Sequence, residues 1–303
     1  MAKPDLPYLI IDFDSTFTQV EGLDELAAIA LQGHPDREQV VGNIRALTDS
    51  GMNGSISFSE SLRRRLGLLS ARREHLPLLV AQLKTKVSDS IVRNRDFFRQ
   101  FPGRVYIVSS GFREFIEPVV ADFGISSDYV LANTFTYDEA GNITGFDPNN
   151  VLSRDGGKIE QLRQLNLPGD VYVLGDGYTD YQIREAGLAN RFYAFTENVT
   201  RDAVVARADE VVPSFDEFLY QNKLPMTLSY PKNRIRVLLL ENIEPTAEQL
   251  FREEGYQVDI VQGGLDEDEL VARIEGVSIL GIRSKTQVTQ RVQIGRASCR
   301  ERV

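Results

Sequence analysis

Cysteine is nearly absent from this chain: Cys299 is the only one. That excludes an internal disulfide framework and a cysteine-rich zinc site. Histidine is almost as scarce, with only His34 and His75, so a histidine-based metal cluster is not expected. Both read as ordinary polar side chains in a helical region. No apolar run approaches the roughly 20 residues of a membrane span, and nothing behind Met1 has the apolar core of a signal peptide. Positive charge is in deficit, and a net charge of −10 argues against non-specific binding to nucleic acid or an anionic membrane. The remainder is 303 residues, 42% hydrophobic and 26% charged, as in a soluble globular protein with room for one large domain or two ordinary ones. The expectation is a cytoplasmic protein with a small-molecule substrate and no nucleic-acid or membrane partner; a homo-oligomer stays open.

The chain is organised around Tyr8–Ile11, an apolar run that ends abruptly in Asp12 and Asp14. Such a run reads as a buried parallel strand, which delivers the residues after it to the carboxyl edge of a sheet. If the backbone stays extended, the two acids share one face and repel unless a proton or a cation sits between them. The hard cation suited to a carboxylate-rich, phosphate-handling site is magnesium. A magnesium-dependent phosphoryl-transfer site is therefore the working expectation.

Residues 17 to about 86 read as helical, with Leu23, Leu26, Ala27 and Ala30 on one face and Leu76, Leu79, Val80 and Leu83 on another. The turn-rich stretch from Thr48 through Met52 to Phe58 separates them and leads into Arg63-Arg64-Arg65. Three consecutive arginines on a helix point in different directions, so one can aim inward while two stay solvated. A helical block inserted after the first strand behaves as a lid. A strand over Arg104–Val108 then runs into Ser109-Ser110-Gly111-Phe112 before a helix over Phe115–Phe123, the makings of a phosphate cradle. Asp128–Thr136 and Ile143–Gly145 read as strands around a turn at Asp138–Asn142. Lys158 falls in the first turn of a helix, where the dipole disfavours a cation, which suggests that it neutralises phosphate or carboxylate. A further strand, Asp170–Leu174, ends in Gly175-Asp176-Gly177-Tyr178-Thr179-Asp180. Arg191–Phe195 and Glu210–Val212 read as the last strands and Phe215–Tyr220 as a closing helix. Alternating strands and helices make this an α/β domain with a mostly parallel sheet.

These motifs resemble the haloacid dehalogenase superfamily: a strand into Asp-x-Asp-x-Thr, a serine after a strand, a lysine, then Gly-Asp-x-x-x-Asp. Within it, residues 7 to 220 resemble the phosphoserine phosphatases. The resemblance implies a Rossmann-like sheet with a helical cap inserted after the first strand. It implies Asp12 as nucleophile, Asp14 as general acid and base, and Ser109 and Lys158 as ligands of the transferring phosphoryl group. Magnesium would be held by Asp12, the main-chain carbonyl of Asp14 and Asp176, with Asp180 helping. Glu21 would take the substrate ammonium and Arg65 its carboxylate, with Met52, Phe58 and Gly111 completing the pocket. Thr179 stands where the family commonly has Asn, and Ser110 where Gly is frequent. The activity implied is magnesium-dependent hydrolysis of L-phosphoserine in serine biosynthesis. Two alternatives stay open: a phosphatase of the same mechanism acting on another small phosphomonoester, and a regulatory module that binds phosphoserine or phosphoglycerate.

This region is expected to span 1–222, with a linker over 223–233 that carries prolines and polar residues. A strand-helix-strand-helix-strand pattern over 234–291 resembles the start of the D-3-phosphoglycerate dehydrogenases, and Gly281-Ile-Arg283-Ser284-Lys-Thr286 is similar to their early phosphate-binding segment. No Gly-x-Gly-x-x-Gly fingerprint comes after it, so the fragment is expected to be truncated and to lack dehydrogenase activity. Residues 294–303 read as a translated sequencing adapter, which would make Cys299 artefactual.

Overall fold

A computed structural model of the chain describes residues 6–52, 55–228 and 230–292. Positions 53 and 54, directly after Met52, and the segment 294–303 with Cys299 lie outside the described residues. The chain divides into two compact units, one up to Thr227 and one from Leu228.

The first unit is built on β1 (Tyr8–Ile11), whose side chains alternate between two apolar clusters. Ile10 packs with Val108, Val173 and Phe192, whereas Leu9 and Ile11 pack with Ile107, Leu174 and Phe195. Burial on both faces explains why the run contains no charged residue, and each fully buried side chain of this size contributes about 1.5–3 kcal/mol. A tight turn over Phe13–Phe17 leads to the cap, made of α1 (Gly22–Ala30), α2 (Arg37–Met52), α3 (Phe58–Leu68) and α4 (Leu76–Lys84). Both histidines accept main-chain N–H groups there, His34 from Asp36 at 3.1 Å and His75 from Arg72 at 3.0 Å. The chain returns through α5 (Asp89–Arg93) and α6 (Arg95–Gln100) to β2 (Val105–Phe112), α7 (Arg113–Val120) and β3 (Val130–Asn133). A hairpin of β4 (Phe135–Tyr137) and β5 (Ile143–Phe146) precedes α8 (Gly157–Leu165) and β6 (Val171–Gly175). Then come α9 (Tyr178–Glu185), β7 (Arg191–Phe195), α10 (Asp202–Val205), β8 (Glu210–Val212) and α11 (Phe215–Gln221).

The main sheet has the order β3-β2-β1-β6-β7-β8, with every pairing parallel. Its order reverses at β1, the position where open α/β sheets form a crevice. Register places Ile11 beside Ile107 and Leu174, so Asp12, Ser109 and Asp176 emerge along one edge.

Three expectations need correction. The strand does not run on through Asp12–Asp14: Asp12 and Asp14 keep extended dihedrals, but the strand ends at Ile11 and the turn begins at Phe13. The strand expected to stop at Val108 continues to Phe112, with a register shift between those two residues. The single strand expected over Asp128–Thr136 is two, because the Phe135 N–H is taken by Glu114 Oε1 at 2.8 Å and the chain peels off the sheet. The first part of the expected linker is also tied down, since Thr227 donates from its N–H to Asn94 Oδ1 at 2.9 Å.

The second unit comprises β9 (Arg236–Leu240), α12 (Pro245–Glu253), β10 (Gln257–Val261), α13 (Glu267–Arg273) and β11 (Val277–Gly281). Its strands form a parallel sheet in the order β10-β9-β11. Leu238 and Leu240 pack with Leu270 of α13 and with Ile274 just after it, while Val237 and Leu239 pack on the other face with Phe251 of α12. Beyond β11, the N–H groups of Ser284 and Lys285 donate to the Glu241 carboxylate at 2.7 and 2.9 Å. The amides that the resemblance offers to a phosphate are thus held by the chain's own carboxylate.

Candidate active site

The turn after β1 is wound about Asp12. Its carboxylate accepts from the Phe13 N–H at 2.7 Å, and its carbonyl accepts from the Phe17 N–H at 3.2 Å. Ser15 adopts a left-handed φ of 54°, a strained state for a residue with a side chain. The Asn198 amide holds it there by donating to the carbonyls of Ser15 at 3.1 Å and Thr18 at 3.3 Å. Asp14 Oδ1 accepts from the Gly22 N–H at 2.7 Å, at the start of α1.

Asp12 also meets two acids beyond β6, Asp176 in the loop and Asp180 in the first turn of α9. Asp12, Asp176 and Asp180 are all buried, and each offers an oxygen within 4.8 Å of the others. Gly175 allows this, because a methyl group there would collide with the Asp180 carboxylate. The Asp14 carboxylate stands outside this triad; the expectation for Asp14 concerned its main-chain carbonyl. Lys158 Nζ lies 2.9 Å from Asp12 Oδ2 and 2.8 Å from Asp180 Oδ1. Burial acts to lower the Lys158 pKa, but Asp12 and Asp180 outweigh it and raise it. Asp176 accepts from the Thr16 hydroxyl at 2.9 Å and from Arg201 Nε at 3.0 Å.

Burial first, and Asp12 second, push Asp176 up to about 7 and Asp180 up to about 8. Three buried carboxylates that resist joint ionisation, offering only oxygen donors, fit a hard divalent cation. The sign of these shifts sets how stability depends on pH. The folded state holds protons that the unfolded chain has released, so metal-free protein loses stability as pH rises from about 4 through 7 and 8. Thermal unfolding in chelator should show a falling midpoint between pH 6 and 8.5, and a saturating divalent cation should flatten that slope. A chelator-insensitive slope contradicts the metal reading.

On the cap side of Lys158 lies a cavity of about 30 Å³. Its floor is Ser109, Gly111 and Lys158, and Met52, Phe58 and Arg65 close it from the cap, with Asp12, Asp14, Glu21, Ser110 and Thr179 around it. The Ser109 hydroxyl accepts from the Gly111 N–H at 2.9 Å. A methyl group on Gly111 would sit 3.0 Å from Asp14 Oδ2 and 3.1 Å from Ser109 Oγ, crowding this floor. Burial and the neighbouring Glu21 hold the Asp14 carboxyl well above the usual carboxylate range, against the Gly22 hydrogen bond. Glu21 accepts from the Ser15 hydroxyl at 2.7 Å and lies 3.9 Å from Arg201 Nη2.

Of the three arginines, Arg63 and Arg64 stay at the surface beside Glu60, and Arg65 turns inward to 6% exposure. Its Nη1 donates to the Thr48 hydroxyl at 3.3 Å, and its buried Nε has no protein partner among the described residues. An unpaired buried guanidinium N–H is costly unless an acceptor enters the cavity.

Residues 9–185 match the haloacid dehalogenase-like hydrolase family. The chain belongs to that family. The hydrolase is 33% identical over 215 residues to a chloroplastic phosphoserine phosphatase of Arabidopsis thaliana, covering 69% of each chain. A phosphoserine phosphohydrolase-like protein of Francisella tularensis superposes with a TM-score of 0.64 at 26% identity, over 71% of this chain and 99% of that one. A 66-residue stretch, 22% of the hydrolase chain, is 46% identical to a D-3-phosphoglycerate dehydrogenase of Dictyostelium discoideum but spans only 16% of that protein. Among the described residues, no helix of the hydrolase is long and apolar enough to cross a membrane.

The structure brings Asp12, Asp14, Glu21, Met52, Phe58, Arg65, Ser109, Gly111 and Lys158 to one cavity, with Asp176 and Asp180 beside Asp12. Sequence reasoning missed Thr16, Asn198 and Arg201. Asn198 and Arg201 lie just past the end of β7, at the same sheet edge as Asp12, and that position was the available signal.

Proposed function

We propose that the first unit hydrolyses L-phosphoserine to L-serine and phosphate with magnesium as cofactor, in serine biosynthesis. The observation that carries this reading is the cavity's two-ended chemistry. One end has a buried lysine beside an aspartate, suited to a phosphoryl group. The other has a buried arginine with a free Nε and a glutamate, suited to a carboxylate and an ammonium. The similarity to phosphoserine phosphatases supports the same substrate.

In this reading an Asp12 oxygen attacks phosphorus, the bond from phosphorus to the serine oxygen breaks, and an aspartyl-phosphate forms. Asp14, whose burial beside Glu21 favours its protonated form, gives its proton to the departing serine oxygen. It then takes a proton from the water that attacks the aspartyl-phosphate, releasing phosphate and restoring Asp12. Ser109 and Lys158 hold the phosphoryl oxygens throughout. Magnesium, held by Asp12, Asp176, Asp180 and the Asp14 carbonyl, would screen the anionic nucleophile from the anionic phosphate. Arg201 and Thr16 orient Asp176 from behind. The second unit is read, from about residue 234, as the start of a D-3-phosphoglycerate dehydrogenase. With no dinucleotide fingerprint, no hydride transfer is assigned to it.

Substrate analogues test the two ends separately. Phosphoethanolamine lacks the carboxylate and 3-phosphoglycerate lacks the ammonium, so each should have a kcat/KM at least ~100-fold below that of L-phosphoserine. Arg65→Ala should remove most of the advantage over phosphoethanolamine by raising the L-phosphoserine KM. Equal kcat/KM values across the three esters would overturn the assignment of Arg65 and Glu21.

A further inference from the structure

Cap and core share a polar contact that none of these steps uses. Asp155 stands two residues before α8, on the core side, and reaches Ser59, the second residue of α3. Its Oδ1 accepts from the Ser59 N–H at 2.9 Å and its Oδ2 from the Ser59 hydroxyl at 2.8 Å. Ser57, the N-cap of α3, accepts from the Glu60 N–H at 3.3 Å, so Asp155 takes a first-turn donor that the helix itself leaves open. A carboxylate there also meets the positive end of the helix dipole. Partial burial would raise the Asp155 pKa, yet donors from Ser59, Ser57 and Phe58 leave it lowered, as for a carboxylate held in its charged form.

Among the described residues, every hydrogen bond from α2 or α3 to the core ends on this carboxylate. Past the far end of α3 the tie is main-chain: Arg73 N–H to Gly141 O and Ile143 N–H to Ala71 O, both 2.9 Å, on the β4–β5 hairpin. One end of α3 is thus pinned by backbone and the other by one side chain. Phe58 and Arg65, seven residues apart on one helix face, close the cavity between these two ends.

We propose that Asp155 is a positioning residue that latches the N-terminus of α3 and so seats Phe58 and Arg65 over the substrate cavity. The proposal rests on reading that cavity as the phosphoserine site. Without the latch, the closed cap is less populated, and apparent affinity falls by the same fraction. Chemistry at Asp12 and Lys158 belongs to the core and proceeds once the cap closes.

The test compares wild-type full chain with Asp155→Ala and Asp155→Asn. The L-phosphoserine KM should rise about tenfold in Asp155→Ala, the scale of one charge-assisted hydrogen bond, with kcat within about twofold. Asp155→Asn keeps one acceptor oxygen and should fall between. The KM of phenyl phosphate, which offers nothing for Arg65 or Glu21 to grip, should not move. Hydrogen exchange without substrate should show α3 amides opening faster in Asp155→Ala while β1 and β6 keep their protection. An unchanged L-phosphoserine KM, an equal KM rise for both esters, or unchanged α3 exchange each overturns the latch. If wild type releases no phosphate from L-phosphoserine, the substrate reading falls and the exchange comparison alone judges the latch.

Discussion

Asp12→Asn should abolish phosphate release without unfolding the protein. An amide is not a nucleophile toward phosphorus, so the loss should be on the order of 10⁴-fold or more, as when other enzymes lose theirs. The shape of the site should survive. Asn keeps an oxygen to accept from the Phe13 N–H, and the turn remains held by Asn198. The substitution also removes one charge from a buried triad whose members repel. It also costs Lys158 one of its two carboxylate partners, Asp180 remaining, so in chelator the two effects oppose and the variant should unfold within a few degrees of wild type, roughly 1 kcal/mol either way. Phosphate release and thermal unfolding measured on one preparation check both halves. Retained turnover would move the nucleophile elsewhere.

Lys158→Met should damage both rate and stability. The ammonium touches Asp12 and Asp180 from a position only 4% exposed. Removing one partner from a buried ion pair costs about 3–5 kcal/mol, because the remaining charges stay buried. Here Asp180, already pushed up to about 8, relieves part of the penalty by taking a proton. The lower figure, about 3 kcal/mol, is therefore expected, a fall of roughly 10 °C in metal-free protein. Divalent cation should recover much of this by supplying positive charge to the same acids. The rate should not recover, since losing one preorganised donor to a transferring group costs about 10²–10³ in kcat. Unfolding curves in chelator and in magnesium, beside kcat in magnesium, separate the two effects. An unchanged kcat would remove Lys158 from the phosphoryl site.

Much of this was legible because it lies on strands and helices with strong local signals. An apolar run broken by acids marks a strand end whatever the rest of the chain does, and it located Asp12 and Asp176. Lys158 betrayed itself by standing where a helix dipole disfavours it. Three adjacent arginines on a helix leave room for one to point inward, the resemblance singled out Arg65, and Arg65 is the one that is buried. Features that depend on distant partners were not legible. The left-handed Ser15 exists because Asn198, 183 positions away, holds its carbonyl, and no local pattern announces that. The split between β3 and β4 turns on Glu114 capturing one N–H and on Phe135 stacking against Phe112 at 3.7 Å. Arg201 is a lone arginine in a polar stretch with no periodicity to mark its contact with Asp176. Asp155 reads as a turn residue, and only the fold brings it to Ser59.

The most direct test of the central claim is phosphate release from L-phosphoserine by the full chain, in magnesium and in chelator, with Asp12→Asn as the blank. The account predicts release that requires magnesium, exceeds that from other small phosphomonoesters and is absent in the blank. Release from other esters but not from L-phosphoserine, or release that continues in chelator, would contradict it.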